Sequence, residues 1–233
     1  MHTQPRRTDD TCHITINETI ILNGNLRLPP HPRGVVIFAH GSGSSRFSPR
    51  NQFVARVLQR AGFATLLLDL LTAQEETLDQ AHAHLRFNIP LLSSRVQAAT
   101  RWLLAQSACA GLSIGYFGAS TGAAAALVAA AKQPEQVAAV VSRGGRPDLA
   151  DAALEHVQAP TLLIVGSRDE QVIELNEEAL ARLHVEKHLE LVPNATHLFE
   201  EPGTLEQVAD LAQQWFARYL PPARREVHEQ HLS

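Results

Sequence analysis

The stretch Gly118-Ala119-Ser120-Thr121-Gly122 lies between an apolar run at residues 114–117 and an alanine-rich run at residues 123–132. Where a strand turns sharply into a helix at a Gly-x-Ser-x-Gly pentapeptide, the serine hydroxyl is exposed at the top of the sheet. The flanking glycines let strand and helix approach each other without Cβ clashes. Because this pentapeptide also arises by chance, it makes Ser120 a candidate nucleophile only if the rest of the chain supplies partners.

Apolar runs of strand length alternate with helical patterns around this stretch. Continuous apolar strands that alternate with helices are typical of a parallel sheet covered on both faces, so the fold class is α/β. The predicted strands are 35–39, 64–68, 114–117, 137–141, 161–165 and 189–192, and the predicted helices are 51–61, 91–106, 121–132, 172–184 and 205–219.

The start of the chain has a different pattern. Residues 12–17 and 19–28 alternate between apolar and polar side chains, which predicts antiparallel strands at one edge of the sheet. Asn23-Gly24 is either a hairpin turn or a bend within the second of these strands. We expect a single domain over residues 12–220, with residues 1–11 and 221–233 as flexible termini.

Composition excludes several classes of protein. The 233 residues carry a formal charge of −4 and are 45% hydrophobic, which fits a globular protein with no basic surface for nucleic acid or membrane. No apolar stretch approaches the roughly 20 residues that cross a bilayer, and residues 1–11 lack the apolar core of a secretory signal. The two cysteines, Cys12 and Cys109, are expected to be buried apolar residues in a reducing cytoplasm.

Two later loops carry the partners that a serine nucleophile requires. Serine needs a general base, and the base needs an acid that holds its tautomer, in the chain order Ser, Asp or Glu, His. Asp169 follows the strand 161–165 and His197 follows the strand 189–192. Because the carboxyl ends of parallel strands share one face, the sequence predicts a Ser120–Asp169–His197 triad.

Alternatives to these assignments exist. Glu170 stands next to Asp169 and is a second candidate for the acid. His82 and His84 form a His-x-His pair, and the spacing of His184 and His188 is one helical turn. No cysteine or carboxylate cluster completes a ligand set beside either pair, so we expect solvated histidines and no metal or other cofactor.

Backbone amides are the usual donors to a tetrahedral oxyanion. Thr121 follows the nucleophile at the positive end of a helix, and Ser42 lies in the loop His40-Gly41-Ser42-Gly43-Ser44-Ser45 after the strand 35–39. We predict their amides as the oxyanion hole. A glycine-rich loop after a strand can also bind phosphate, but this one lacks the P-loop and dinucleotide-binding patterns.

These pieces resemble the α/β-hydrolase superfamily, and specifically its dienelactone-hydrolase-like branch. The matching segments are His40–Gly43, Gly118–Gly122, Gly166–Asp169 and 195–203, within residues 35–219. The resemblance implies an eight-stranded, mostly parallel sheet with Ser120, Asp169 and His197 as the triad. The chain is also similar to hydrolase modules that are fused to phosphoribosyltransferases or share that name, but it shows no phosphoribosyl-pyrophosphate loop.

One departure affects the expected substrate. Dienelactone hydrolases proper use a cysteine nucleophile, whereas the elbow here carries Ser120, which favours a serine esterase. Residues 70–90 are too few for a large lid domain, so we expect little or no cap. Gly41, Arg46, Arg143 and Arg146 are candidate substrate-binding residues, since arginines can hold an anionic acyl or leaving group in a bidentate manner. The alternative, which we weigh slightly higher, is that the arginines pair with loop carboxylates such as Asp148.

The predicted activity is therefore a cytoplasmic serine hydrolase of small carboxylic esters. A thioesterase, lactonase or acyltransferase could use the same triad, and a non-catalytic binding module could keep the same fold. The expected partner is a small-molecule ester, and the protein is expected to be a monomer or a homodimer.

Overall fold

The computed structural model describes residues 10–220, so the expectations for residues 1–9 and 221–233 lie outside it. Eight strands form one sheet in the order β1-β2-β4-β3-β5-β6-β7-β8. The pairs β1–β2 and β2–β4 are antiparallel, and every other pair is parallel. The strands are β1 Asp10–Thr15, β2 Ile21–Arg27, β3 Val35–Ala39, β4 Ala64–Leu68, β5 Ile114–Ala119, β6 Val137–Arg143, β7 Thr161–Gly166 and β8 Lys187–Val192.

Helices cover both faces of this sheet. They are α1 Pro49–Arg60, α2 Ala73–His82, α3 Ile89–Leu104, α4 Thr121–Lys132, α5 Glu170–Arg182 and α6 Thr204–Tyr219. Apolar side chains of α1 and α6 pack on one face, and those of α3 and α4 pack on the other. Because side chains alternate along a strand, Ile37 joins one core and Phe38 the other. This confirms the predicted α/β fold with a mostly parallel sheet.

The hairpin between β1 and β2 does not turn at Asn23-Gly24, which was one of the two alternatives from the sequence. Asn23 and Gly24 lie inside β2, paired with His13 and Cys12 of β1, so they do not form the turn. The chain reverses between β1 and β2, where the Ile16 amide donates to the Ile20 carbonyl at 2.9 Å. Strand β1 begins at Asp10, two residues before the expected start of the domain.

The segment between β4 and α3 contains a helix that the sequence analysis did not predict. Helix α2 begins with a capping box, in which the Thr72 hydroxyl accepts from the Glu75 amide and the Glu75 carboxylate accepts from the Thr72 amide. A short 3-10 helix at Leu85–Phe87 follows. Another 3-10 helix lies at Ser107–Cys109, and the segment Pro147–His156 between β6 and β7 is 3-10 helix interrupted at Asp151; the sequence-based prediction has no helix at 147–156.

The carboxyl-terminal helix ends against the amino-terminal ends of the central strands. Leu220 packs beside Gly34, just before β3, where an added Cβ would lie 3.0 Å from the leucine side chain. Phe216 packs beside Gly115 in β5, at 2.7 Å from such a Cβ. Ser120 follows the other end of β5, so α6 ends on the side of the sheet opposite to Ser120.

Candidate active site

Ser120 is the single residue between β5 and α4. Its backbone has φ 50° and ψ −124°, a conformation that is rare and strained for a residue with a side chain. Three main-chain hydrogen bonds hold it: its amide donates to the Arg143 carbonyl at 3.4 Å, and its carbonyl accepts from the amides of Ala123 and Arg146 at 3.0 and 3.1 Å. The strain is therefore maintained by the structure around the residue.

The glycines on either side make this turn possible. A Cβ on Gly118 would lie 2.4 Å from the Ala123 Cα, and one on Gly122 would lie 2.3 Å from the Ala39 carbonyl oxygen. Real Cβ atoms do not approach backbone atoms so closely, so the start of α4 fits against β5 and the end of β3 only because both positions lack side chains.

Asp169 and His197 are brought together by the loops after β7 and β8. Asp169 Oδ2 lies 2.6 Å from His197 Nδ1. If Nδ1 carries the proton and donates it to this carboxylate, Nε2 is left as an acceptor, which is the tautomer that a general base needs. Glu170, the alternative acid, is exposed as the first residue of α5.

Backbone contacts fix these two loops against each other. The Arg168 amide donates to the Ala195 carbonyl at 3.0 Å, and the Ser167 hydroxyl accepts from the Asn194 amide at 2.9 Å. Gly166 permits the close approach, since a Cβ there would lie 2.4 Å from the Ala195 carbonyl oxygen. The distance between acid and histidine is thus set by main chain on both sides.

Ser120 and His197 line one cavity of about 230 Å³, which we call the serine cavity. Its wall also includes Ser42, Arg50, Asn51 and Arg143. A second cavity of about 240 Å³, the leucine cavity, lies on the other side of the loop after β3 and is lined by Leu70, Leu71, Leu92, Glu76 and Thr121. Gly41, Ser42 and Ser44 line both cavities.

Of the two predicted oxyanion donors, Ser42 lies in the loop after β3 that lines both cavities, and Thr121 lies at the start of α4. Thr121 is the first residue of α4, where amide groups have no acceptor within the helix. Gly41 lies against Ser120, because a Cβ on it would be 3.0 Å from the Ser120 Cβ. The loop that carries Ser42 is therefore directly beside Ser120.

Two contacts from the end of β4 hold the same loop. His40 is buried, its Nε2 accepts from the Leu70 amide at 3.1 Å, and its Nδ1 therefore donates to the Gly41 carbonyl at 2.8 Å. Burial lowers the pKa of His40, so the ring stays neutral as this bonding requires. Arg46 forms an ion pair with Asp69, whose carboxylate also accepts from the Arg46 amide at 2.7 Å.

The fold described above recurs in known proteins. Residues 22–220 match the model of the dienelactone hydrolase family. The chain belongs to that family. A dienelactone hydrolase from Anabaena variabilis is 58% identical, with a TM-score of 0.89 over 91% of this chain and 97% of that one. Est1E from Butyrivibrio proteoclasticus shares the fold at 17% identity, with a TM-score of 0.74 over 90% of this chain and 98% of that one.

Curated relatives of this dienelactone hydrolase family member carry a different name. Two proteins of Mycobacterium tuberculosis, from strains CDC 1551 and H37Rv, are 60% identical over 197 residues and are named "Putative phosphoribosyl transferase". The match covers 84% of this chain but 44% of each relative, so the chain spans less than half of their length.

The arginines of this family member differ in their surroundings. Arg146 is held by Asp148 through two hydrogen bonds of 2.8 and 2.7 Å, which is the carboxylate pairing favoured above, and Arg46 is held by Asp69. Neither lines the serine cavity, whereas Arg143 does. Arg50 lines it too and was missed, because a charged residue in the first turn of a helix carries no sequence signal for a cavity.

The remaining titratable clusters of this family member do not form a metal site in residues 10–220, where no group of three His, Cys, Asp or Glu residues could hold an ion. The helical spacing suggested for His184 and His188 is wrong, since α5 ends at Arg182 and His188 belongs to β8. Cys109 is buried and Cys12 is half-buried, and burial raises the pKa of both thiols. Within the described range, no helix is both long and apolar enough for a membrane span.

Proposed function

We propose that the protein is a serine hydrolase of carboxylic esters that works through an acyl-enzyme. The observation that carries this proposal is the contact of 2.6 Å between Asp169 and His197, in a site where His197 shares the serine cavity with the strained Ser120. Membership of the dienelactone hydrolase family supports hydrolysis as the reaction class.

In the proposed reaction, the Ser120 Oγ forms a bond to the ester carbonyl carbon while His197 Nε2 takes the hydroxyl proton. The amides of Ser42 and Thr121 stabilise the oxyanion, and Asp169 stabilises the charged imidazole. The bond from carbon to the leaving oxygen then breaks, and His197 returns the proton to that oxygen. Water, deprotonated by His197, releases the acid and restores Ser120.

The serine assignment is tested by labelling with a fluorophosphonate probe and by hydrolysis of p-nitrophenyl acetate. Ser120→Ala should abolish labelling and lower turnover by roughly 10⁴-fold or more, because both require the hydroxyl. Ser94→Ala, at an exposed serine of α3, is the matched control and should behave as the wild type. Undiminished hydrolysis or labelling in Ser120→Ala would refute the proposal.

A lactonase is the second candidate, since a lactone is a cyclic ester and a dienelactone hydrolase is 58% identical to this chain. The leaving alcohol would then remain attached to the acyl group. A panel that pairs each lactone with its open-chain ester separates the two activities by their kcat/KM values.

A further inference from the structure

Arg143 is a buried cation that contacts Asn51 and, with its guanidinium carbon 6.0 Å from the ring centroid, Phe199. It is the last residue of β6 and is only 7% exposed. Its guanidinium is 3.4 Å from Asn51 Oδ1, its Nε has no hydrogen-bond partner, and among residues 10–220 no carboxylate forms an ion pair with it. Burying a charge without a counter-ion is unfavourable, because the charge loses its hydration. A buried guanidinium without a carboxylate partner is suited to bind an anionic group of a ligand.

Arg50 adds a second positive charge to the serine cavity. Its carboxylate partner, Glu200, is 3.6 Å away and 67% exposed, which makes the pair weak, and its own Nε is buried without a partner. Burial, together with the charge of Arg50, lowers the pKa of Arg143 to about 10, so Arg143 remains cationic at neutral pH. The amino terminus of α1, capped by Ser48, faces the same cavity and also favours negative charge.

The position of His197 indicates which half of the ester enters this cavity. In the proposed reaction His197 must deliver its proton to the leaving oxygen, so the leaving alcohol lies on the side of the imidazole. His197, Arg50 and Arg143 all line the serine cavity, whereas none of them lines the leucine cavity.

The leucine cavity suits an uncharged acyl group. Leu70, Leu71 and Leu92 line it, and Thr121 stands at its wall beside the oxyanion position. Two acidic residues line this cavity. Asp79 forms an ion pair with Arg86, whereas Glu76 forms no ion pair with any residue in 10–220. The carboxylate of Glu76 would therefore repel an anionic acyl group. The two cavities therefore differ in sign of charge.

We propose that Arg50 and Arg143 bind an anionic group, a carboxylate or a phosphate, on the leaving alcohol of the ester, with the acyl group in the leucine cavity. This inference rests on the proposed function and specifies its substrate class. Both kinds of anion accept bidentate hydrogen bonds from guanidinium groups.

Five esters test the proposal through the release of a phenol. Three share an acetyl group and differ in the leaving phenol: 4-acetoxyphenylacetate, 4-acetoxybenzylphosphonate and the neutral 4-acetoxyphenylacetamide. Two place the charge in the acyl group instead: p-tolyl hemisuccinate and the neutral p-tolyl succinamate. The readout is the ratio of kcat/KM for an anionic ester over its neutral amide, measured on the same preparation.

We expect a ratio of about 10 to 100 for at least one leaving-group anion, the size of a charge-assisted hydrogen bond, and a ratio of about 1 or less for the acyl anion. The larger of the carboxylate and phosphonate ratios identifies the group that the site prefers. Arg143→Met and Arg50→Gln should each bring the leaving-group ratio towards 1. Arg60→Gln removes a charge from the exposed far end of α1 and should leave the ratio unchanged.

The ratio of the two kcat/KM values does not depend on the fraction of folded protein, because both esters are measured on the same preparation. Arg50 is half-buried, so Arg50→Gln provides a second variant if Arg143→Met is unstable. A wild-type ratio near 1, a preference for the acyl anion, or a ratio that survives both substitutions would overturn the inference. Failure of the proposed function looks different, because then even the neutral amide ester would show no hydrolysis that depends on Ser120.

Discussion

At the scale of single residues, His40 links the end of β4 to the loop that carries Ser42. Its ring accepts from the Leu70 amide and donates to the Gly41 carbonyl, so it fixes the peptide that leads into Ser42. Only the neutral imidazole has one donor and one acceptor nitrogen, and a proton on Nε2 would break the bond from Leu70. The geometry of the loop therefore depends on the charge state of one buried side chain.

This dependence predicts a pH effect on stability. Burial lowers the pKa of His40, whereas in the unfolded chain a histidine titrates near its ordinary value of about 6.5. Above that pH both states are neutral and the stabilisation is fully present. As the pH falls below about 6.5, His40 binds a proton in the unfolded state but stays neutral in the native state. The free energy of unfolding therefore falls by up to about 1.4 kcal/mol per pH unit.

Urea unfolding between pH 7.5 and 5.5 measures this slope. The variant His40→Gln should show a slope smaller by about one proton than the wild type, whereas His184→Gln, at an exposed histidine, should keep the wild-type slope. Equal slopes for His40→Gln and wild type would show that His40 is not the group responsible.

At the scale of elements, the contact between β5, α4 and β3 determines where Ser120 stands. In Gly122→Ala the new Cβ would meet the Ala39 and His40 carbonyl oxygens at 2.3 and 2.4 Å, so the start of α4 must move away from β3. We expect a loss of about 1–3 kcal/mol or more in the free energy of unfolding, together with a lower kcat, because the Thr121 amide moves with the helix.

Denaturant unfolding and ester turnover check both parts of this prediction. The control is Gly111→Asn, at a surface position with φ +73° where nothing lies within 4 Å of an added Cβ and where asparagine tolerates the backbone. If Gly122→Ala matches the control in stability and turnover, then the close approach does not position Ser120.

The elements that were predictable from sequence are those with a strong apolar pattern. Strands β3 and β7 are buried at every position; β3 is a continuous apolar run, and residues 162–165 form one within β7. Helix α2 was missed because Asp79 is its one buried residue, so it has no apolar periodicity, although its capping box at Thr72 and Glu75 was a usable signal.

The candidate site was predictable for chain order and loop placement but not for charge environment. The loops that carry Asp169 and His197 follow from strand order, and their side chains do meet. By contrast, Arg143 lies beyond the predicted strand 137–141 but ends β6 as a buried residue, and Arg46 pairs with Asp69 from a distant part of the chain. Burial and pairing of arginines depend on tertiary contacts that a local pattern does not contain.

At the scale of the whole molecule, two separate cores stabilise the sheet from its two faces. Phe216 of α6 is fully buried in one of them, against Gly115 and with its ring centroid 6.4 Å from that of Phe63. It lies near the amino-terminal end of β5, at the opposite end of that strand from Ser120. We therefore expect a substitution of Phe216 to change the stability of the fold without displacing Ser120.

Phe216→Ala should lower the free energy of unfolding by about 3–5 kcal/mol, because it leaves a cavity that the flat backbone of Gly115 cannot fill. The kcat for a small ester, measured well below the unfolding transition, should stay close to wild type. Guanidinium unfolding gives the first quantity, and Gln214→Ala, at an exposed position of the same helix, is the control. A loss below about 1 kcal/mol would contradict this packing account.

The position of Leu220 has a practical consequence. Since it packs at the amino-terminal ends of β3 and β5, a tether introduced directly after it leaves the molecule on the side away from Ser120. Protein immobilised through such a tether would present the face that carries Ser120 to the solution. Attachment through the loop that carries Ser42 would instead place the support beside both cavities, since that loop lines each of them.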